Sequence, residues 1–360
     1  MTQVNDFSGT RPKLAAVGTA LPPVAVSQKQ ADKLMARYYK DELTPRSLDV
    51  LHKVLSHPSI ETRYASAADS LELLTFKNED PDERIRRFTD WSVRLSREAI
   101  ERALARCCLD RRDIDAVYVN TCTGYICPGI STYLIEALDL PEDTFAYDFV
   151  GSGCGGAVPN LQASQKFVAG TPGGIAVSVS VEICSATFEM GNDIALIISN
   201  ALFGDGAAAA VVWDRPAGIE LIDTISRFLP EYREDVRFTH KNGRLHNRLS
   251  PRLPKLLADV VPRLIDDLVK RNNLAVGDIA HWAIHPGGDK ILGILQERLN
   301  LSDVDMQISR QILREHGNMS SPTVLFEMER ILGNGVAAGE WGILVAFGAG
   351  LSAYAWLFRG

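Results

Sequence analysis

The feature that most constrains the fold of this chain is that it repeats itself. Asp113–Gly124 (DIDAVYVNTCTG) is paralleled by Asp278–Gly288 (DIAHWAIHPGG), and Gly173–Ser180 (GGIAVSVS) by Trp341–Gly348 (WGILVAFG). Between them, the turn Val150–Pro159 (VGSGCGGAVP) is matched by Gly317–Pro322 (GNMSSP), and a helix-like run follows each turn. The spacing agrees: Ile114 to Cys154 is 40 positions, Ile279 to Asn318 is 39. Three similarities in register point to a duplicated β/α unit. Two such units pack their sheets around shared helices, a layered α/β architecture with one half over residues 1–216 and the other over 217–360. In a pseudo-twofold pair the equivalent turns face each other, which carries Cys154, His285 and Asn318 toward one point.

Hydrophobic periodicity fills in the elements. Strands are expected at Lys13–Leu21, Ile114–Thr121, Ile175–Glu182, Ala207–Trp213 and Gly218–Ile225. Helices are expected at Gln28–Tyr39, Pro45–Leu55, Pro81–Cys107, Ser131–Leu138, Asn160–Val168, Ile194–Leu202, Leu253–Asn272 and Val324–Leu332. Residues 57–80 show no period. At 360 residues and 46% hydrophobic, the chain can bury a large core. A net charge of −7 without a long basic block argues against nucleic acid as the main partner. Six cysteines without CxxC spacing fit a reduced, cytoplasmic protein. The polar Met1–Arg11 has no signal-peptide pattern, and the longest apolar run, Ile194–Trp213, is broken by Asn200, Asp205 and Gly-Asp-Gly, so no membrane span is expected.

Cys154 stands among glycines just before a helix, where unpaired N–H groups favour a thiolate. A lone cysteine is usually only a small buried hydrophobe. The same stretch reads as G-x-G-x-x-G, but the acidic residue that a dinucleotide site wants about 20 positions on is missing. His285 ends a strand and precedes Pro-Gly-Gly, at the edge where α/β sites collect. His281 lies four residues before it on a strand-like segment, which does not make a metal site. Cys, His and Asn together can act as a papain-like hydrolase, with Asn orienting His. They can instead hold an acyl thioester on Cys while His and Asn donate to an enolate oxygen after loss of CO₂. Apolar, glycine-rich walls that exclude water favour the second. A scaffold or nucleotide-binding protein, with an inert thiol, is the non-enzymatic alternative.

At these residues the chain resembles the type III polyketide synthases of the chalcone/stilbene synthase family, bacterial in type and within the thiolase superfamily. The pieces are GCGGA around Cys154, ALFGDGAAA at Ala201–Ala209, WAIHPGG at Trp282–Gly288, HGNMSSP at His316–Pro322 and WGILVAFGAGLS at Trp341–Ser352. The similarity runs from about Lys13 to Leu357. WAIHPGG with GNMSSP separates the chain from the ketoacyl-ACP synthase III enzymes, a related condensing class that would use an acyl-carrier protein.

The resemblance implies a thiolase-like αβαβα fold, a homodimer, and neither metal nor other cofactor. It implies iterative decarboxylative condensation of malonyl-CoA onto an acyl-CoA starter held on Cys154. His285 and Asn318 would bind the thioester carbonyl and the enolate, and His285 would help keep Cys154 ionised. Phe203 matches the gatekeeper between coenzyme A tunnel and cavity. Cys122, Thr123, Cys127, Cys184, Thr187, Asn247 and Ser320 match the cavity wall, Cys127 at the position that crosses the dimer interface in plant members. Lys53 and Arg63 align with candidates for the coenzyme A phosphates. The chain departs from the family at Ala346–Gly350 (AFGAG for GFGPG), at Asn247 for a larger aromatic, and at Val50 and His57 where lysines are expected. Small, soft residues at Cys122, Cys127 and Cys184 suggest a roomy cavity or a side tunnel for a fatty acyl starter. A pyrone, resorcinol or phloroglucinol-type product would follow.

Overall fold

The structure, a computed structural model, describes residues 11–360; the start of the 1–216 half, and all but the last residue of the polar Met1–Arg11, lie outside the described residues. In chain order the first half comprises β1 (Lys13–Ala20), β2 (Val24–Ser27), α1 (Gln28–Tyr38), α2 (Pro45–Leu55), β3 (Thr62–Ala65), α3 (Pro81–Cys107) and β4 (Ala116–Asn120). It continues with α4 (Ile130–Leu138), β5 (Phe145–Phe149), α5 (Ala157–Gly170), β6 (Ala176–Glu182), α6 (Ile194–Leu202) and β7 (Gly206–Trp213). The second half comprises β8 (Ile219–Phe228), β9 (Val236–Lys241), β10 (Arg244–Leu249), α7 (Leu253–Arg271) and β11 (Ile279–Ile284). It ends with α8 (Asp289–Leu299), α9 (Gln307–His316), α10 (Thr323–Asn334), β12 (Trp341–Gly348) and β13 (Ser352–Arg359).

Nine of the strands form one sheet in the order β11-β12-β13-β8-β1-β7-β6-β4-β5. Read outward from its centre, the order repeats. On one side β1 is antiparallel to β7, β7 antiparallel to β6, and β6 parallel to β4. On the other, β8 is antiparallel to β13, β13 antiparallel to β12, and β12 parallel to β11. Two residue pairs join the sides, Lys13 with Glu220 and Leu14 with Ile219. β5 extends the first side alone, parallel to β4, and forms the sheet's edge.

Side-chain alternation turns this sheet into layers. In β7, Ala208, Ala210 and Val212 face the central helices α5 and α10, while Ala207, Ala209 and Val211 face α3 and α4. In β12, Leu344 and Ala346 face the same central helices, and Ile343, Val345 and Phe347 face α7 and α8. The layers are therefore helix, sheet, helix, sheet, helix: the thiolase-like architecture. Strands covered on both faces must be apolar throughout, which is why β7 reads GAAAAVVW and is buried at every residue.

Local chemistry sets the ends of the long helix α3. Asp80 accepts from the Glu83 amide and Glu83 reaches back to the Asp80 amide, a capping box with Pro81 at the first helical position. Two features went unread in the sequence. Residues 57–80 contain β3, which pairs with β2. The segment 236–249 is a hairpin of β9 and β10 turned at Asn242-Gly243, both with positive φ. Asn-Gly is the strongest short hairpin signal, since a type I′ turn needs left-handed backbone at both central residues.

Candidate active site

Cys154 sits in a single 3₁₀ turn, Gly153–Gly155, that opens directly into α5. Gly153 has φ +56°, a conformation that glycine adopts without strain. The turn lies against the end of β12, where a Cβ on Gly348 would fall 2.2 Å from the Ser152 carbonyl and 2.6 Å from the Gly155 amide. His285 follows β11, and its amide donates to the Val345 carbonyl at 2.9 Å. Asn318 lies between α9 and α10, with its Oδ1 accepting from the Ser320 amide at 2.7 Å. The duplication thus brings the three residues together: Cys154, His285 and Asn318 line one cavity of about 40 Å³ with Phe203, Phe347 and Gly348.

His285 and Asn318 are buried, and the electrostatics of the site follow from that. Burial pushes the Cys154 thiol up to about 12, against hydrogen bonds from Ser320 and Asn318 that favour its ionised form. Burial alone holds the His285 imidazole down to about 3. Neither His285 ring nitrogen has a hydrogen-bond partner, and the ring packs edge-on to Phe347 with centroids 5.2 Å apart. Desolvation thus works against the helix N-terminus, raising the thiol and lowering the imidazole.

A second, larger cavity of about 160 Å³ opens between α1, β3, the turn after β6 and α6. Leu34, Met35, Leu73, Phe76 and Phe188 make it apolar, and Cys184, Thr187 and Asn247 also line it. Phe203 lines both cavities.

Other expected wall residues also gather around a buried carboxyl beside the site. Glu182, the last residue of β6, is fully buried. Its Oε2 accepts from the amides of Cys122 (2.9 Å) and Thr123 (3.1 Å) and from the Thr121 and Thr123 hydroxyls. Its Oε1 accepts from Ser321 (2.7 Å) and Ser320 (3.3 Å). The Cys122 thiol lies 3.4 Å from the Ser320 hydroxyl. Cys122, Thr123 and Ser320 thus hold a carboxyl that the sequence reading missed. Its one signal was an acidic residue on a strand otherwise buried and mostly apolar. Burial pushes Glu182 up, against those hydrogen bonds.

Arg63 corrects an expectation. Its Nε donates to Gln28, and its Nη1 to the Asn200 and Phe203 carbonyls at the end of α6. Burial lowers it to about 10. An arginine tied into the protein in this way braces the Phe203 turn and is not free to meet coenzyme A phosphates. Lys53 is exposed on α2 and lines neither cavity. Cys127 is exposed, and all six cysteines are free thiols. His281 pairs with Glu340 at 2.7 Å, and among the described residues no three potential metal ligands converge. No helix among them is long and apolar enough to cross a membrane.

Fold and site together define an acyltransferase of thiolase-like architecture. Residues 25–221 match the profile of the FAE1/type III polyketide synthase-like proteins, and residues 220–360 that of the C-terminal domain of chalcone and stilbene synthases. The chain belongs to the type III polyketide synthase family. It is 28% identical to a 3,5-dihydroxyphenylacetyl-CoA synthase of Streptomyces toyocaensis over 94% of this chain and 88% of that relative. It is 26% identical to the alpha-pyrone synthesis polyketide synthase-like Pks18 of Mycobacterium tuberculosis over 96% and 90%. The crystal structure of 1,3,6,8-tetrahydroxynaphthalene synthase from Streptomyces coelicolor superposes with a TM-score of 0.87 at 25% identity, covering 96% of this chain and 99% of that one. PKS-I from the brown alga Ectocarpus siliculosus shares the fold, with a TM-score of 0.89 at 24% identity over 99% and 100%.

Proposed function

We propose that this polyketide synthase loads an acyl-CoA starter onto Cys154 and extends it with malonyl-CoA by decarboxylative Claisen condensation. The Cys154 sulfur attacks the starter thioester and coenzyme A leaves as its thiol. Malonyl-CoA then loses CO₂, and the electron pair of the broken C–C bond becomes an enolate whose oxygen accepts hydrogen bonds from His285 and Asn318. The enolate carbon attacks the Cys154 thioester and expels the sulfur, giving a β-ketoacyl-CoA two carbons longer. Repetition and cyclisation follow. One observation carries this reading: His285 is buried beside Cys154 and Asn318 with both ring nitrogens unpartnered. Buried polar atoms are rarely left so. A neutral imidazole offers one N–H to an oxygen formed during the reaction, and in a dry site that donor is worth far more than in water.

The hydrolase alternative requires Cys–His and His–Asn hydrogen bonds. Here His285 makes neither, and the Asn318 oxygen is already occupied by the Ser320 amide. The apolar 160 Å³ cavity beyond Phe203 favours a fatty acyl starter and an alkylpyrone or alkylresorcinol product. Lys53 remains the candidate for the coenzyme A phosphates. Residues 1–216 and 217–360 are taken as the nucleophile half and the oxyanion half.

The active form is read as a homodimer joined at β5. This unpaired edge presents Phe145 (45% exposed), Tyr147 (53%) and Val150 (57%), backed by Tyr118 and Phe167. An open apolar edge of this kind invites pairing, and a second copy covers it isologously.

The test is incubation with labelled malonyl-CoA and a panel of acyl-CoA starters, with Cys154→Ala as control and mass spectrometry of products. Products extended by two-carbon units, absent from the control, support the reading. Free acid without extension would return the assignment to the hydrolase. Activity only with carrier-protein substrates would point to the ketoacyl-ACP synthase III-like class.

A further inference from the structure

Glu327 lies on α10, nine residues after Asn318, and is fully buried between Phe326 and Met328 in the core. It lines neither cavity. A carboxyl in such a place is unfavourable unless it does something that an apolar side chain cannot. Its Oε2 accepts from the Ser309 hydroxyl at 2.5 Å, and its Oε1 has no partner. The Ser309 oxygen in turn accepts from the amide of Ile284 at 3.2 Å. Ser309 is on α9, the helix that runs into the Asn318 turn, and Ile284 is the residue before His285.

One carboxyl therefore ties together three pieces of backbone: the strand that delivers His285, the helix that enters the Asn318 turn and the helix that leaves it. The His285 ring makes no hydrogen bond of its own. Its aim depends on where β11 ends and on the edge contact with Phe347. The Asn318 side chain likewise depends on the α9–α10 turn. A single fixed point beneath both donors sets their separation.

We infer that Glu327 is a positioning residue that, through Ser309, holds His285 and Asn318 at the spacing an enolate oxygen requires. The inference rests on the enolate-binding roles proposed for those two residues. Glu327 touches no substrate and acts only through them, so it weighs far more on the step that needs both donors than on the reactivity of Cys154, whose turn α5 and the Gly348 contact hold separately and whose thiol shares only the Asn318 hydrogen bond with that pair.

The experiment compares Glu327→Leu, Glu327→Gln and Ser309→Ala in the full chain by two readouts: steady-state decarboxylation of malonyl-CoA, and the rate of Cys154 alkylation by iodoacetamide. Displacement of a reacting geometry by a fraction of an ångström to 1 Å costs about tenfold to a hundredfold. Glu327→Leu and Ser309→Ala are each expected to lower kcat for decarboxylation by about that factor. The KM for malonyl-CoA and the alkylation rate should hold, and Glu327→Gln, which keeps the acceptor, should restore most of the loss. Ser309→Ala removes one oxygen and tests the same link should Glu327→Leu fail to fold. Wild-type decarboxylation in Ser309→Ala, no rescue by Gln, or a parallel fall of decarboxylation and alkylation would each overturn the inference. His285→Ala separates the premise from the inference: decarboxylation that survives it removes the enolate-binding reading itself.

Discussion

Phe203 and Asn318 are joined main chain to main chain. The amide that follows Phe203, at Gly204, donates to the Asn318 carbonyl at 3.0 Å, and the Asn318 amide donates to the Leu202 carbonyl at 3.0 Å. The residue between the two cavities is thus fixed to a proposed oxyanion donor, with Arg63 bracing its carbonyl from the other side. Phe203→Leu keeps this backbone pairing and opens the passage. We expect it to broaden the range of starters toward bulkier acyl groups, read as product masses across a starter panel. An unchanged starter profile would mean that the ring does not gate the passage.

The pH response of Cys154 follows from its burial. With the thiol near 12 and His285 neutral, the thiolate fraction of the free enzyme grows about tenfold per pH unit. Alkylation of Cys154 should rise with that slope from pH 7 to 9 without a plateau. A plateau already present at pH 7 would show that a thiolate–imidazolium pair forms after all.

Cys184 lines the apolar cavity, and a larger ring there shortens it. Cys184→Phe should lower the longest accepted acyl chain while short starters are still extended. Chain-length preference identical to wild type would count against this cavity as the acyl site.

Glu327 also makes stability depend on pH. Burial raises its pKa well above the ordinary value, so the folded state keeps the proton after the unfolded chain, near 4.3, has lost it. Stability from this group is complete below the unfolded value and declines as pH rises toward the folded one. Glu327→Gln does not titrate, so its melting temperature should gain on wild type by roughly 2 °C per pH unit above about pH 5. A difference that stays flat from pH 5 to 8 would mean that the acid ionises equally in both states.

Tyr147→Glu places a charge in the middle of the β5 edge. With the homodimer proposed at this edge, light scattering should show a dimer for wild type and a monomer for the variant, because a carboxylate cannot be desolvated against an aromatic partner without a cation. A dimer unaffected by the change would locate the interface elsewhere.

The core of the site was legible because duplication and short-range chemistry both record it. Gly153 and Gly348 mark where the Cys154 turn and β12 approach, and Asn318 of GNMSSP stands within one position of the distance from its strand that Cys154 keeps from its own. The β9–β10 hairpin was also written locally, in Asn242-Gly243, and was overlooked. Arg63 was misassigned because a basic residue in an aligned stretch looks the same whether its partners are phosphates or the carbonyls of Asn200 and Phe203, more than a hundred residues away.

The sequence by itself determined the repeated strand and helix pattern, the buried character of β7 and β12, and the meeting of Cys154, His285 and Asn318, since periodicity and repeat spacing are local properties of a chain. Only the tertiary structure decided the burial that shifts Cys154 and His285, the cavity beyond Phe203, and the anchoring of Glu182 and Glu327. Each of these depends on desolvation and on partners brought from far along the chain, such as Ser321 to Glu182 across 139 positions, and no local pattern encodes them.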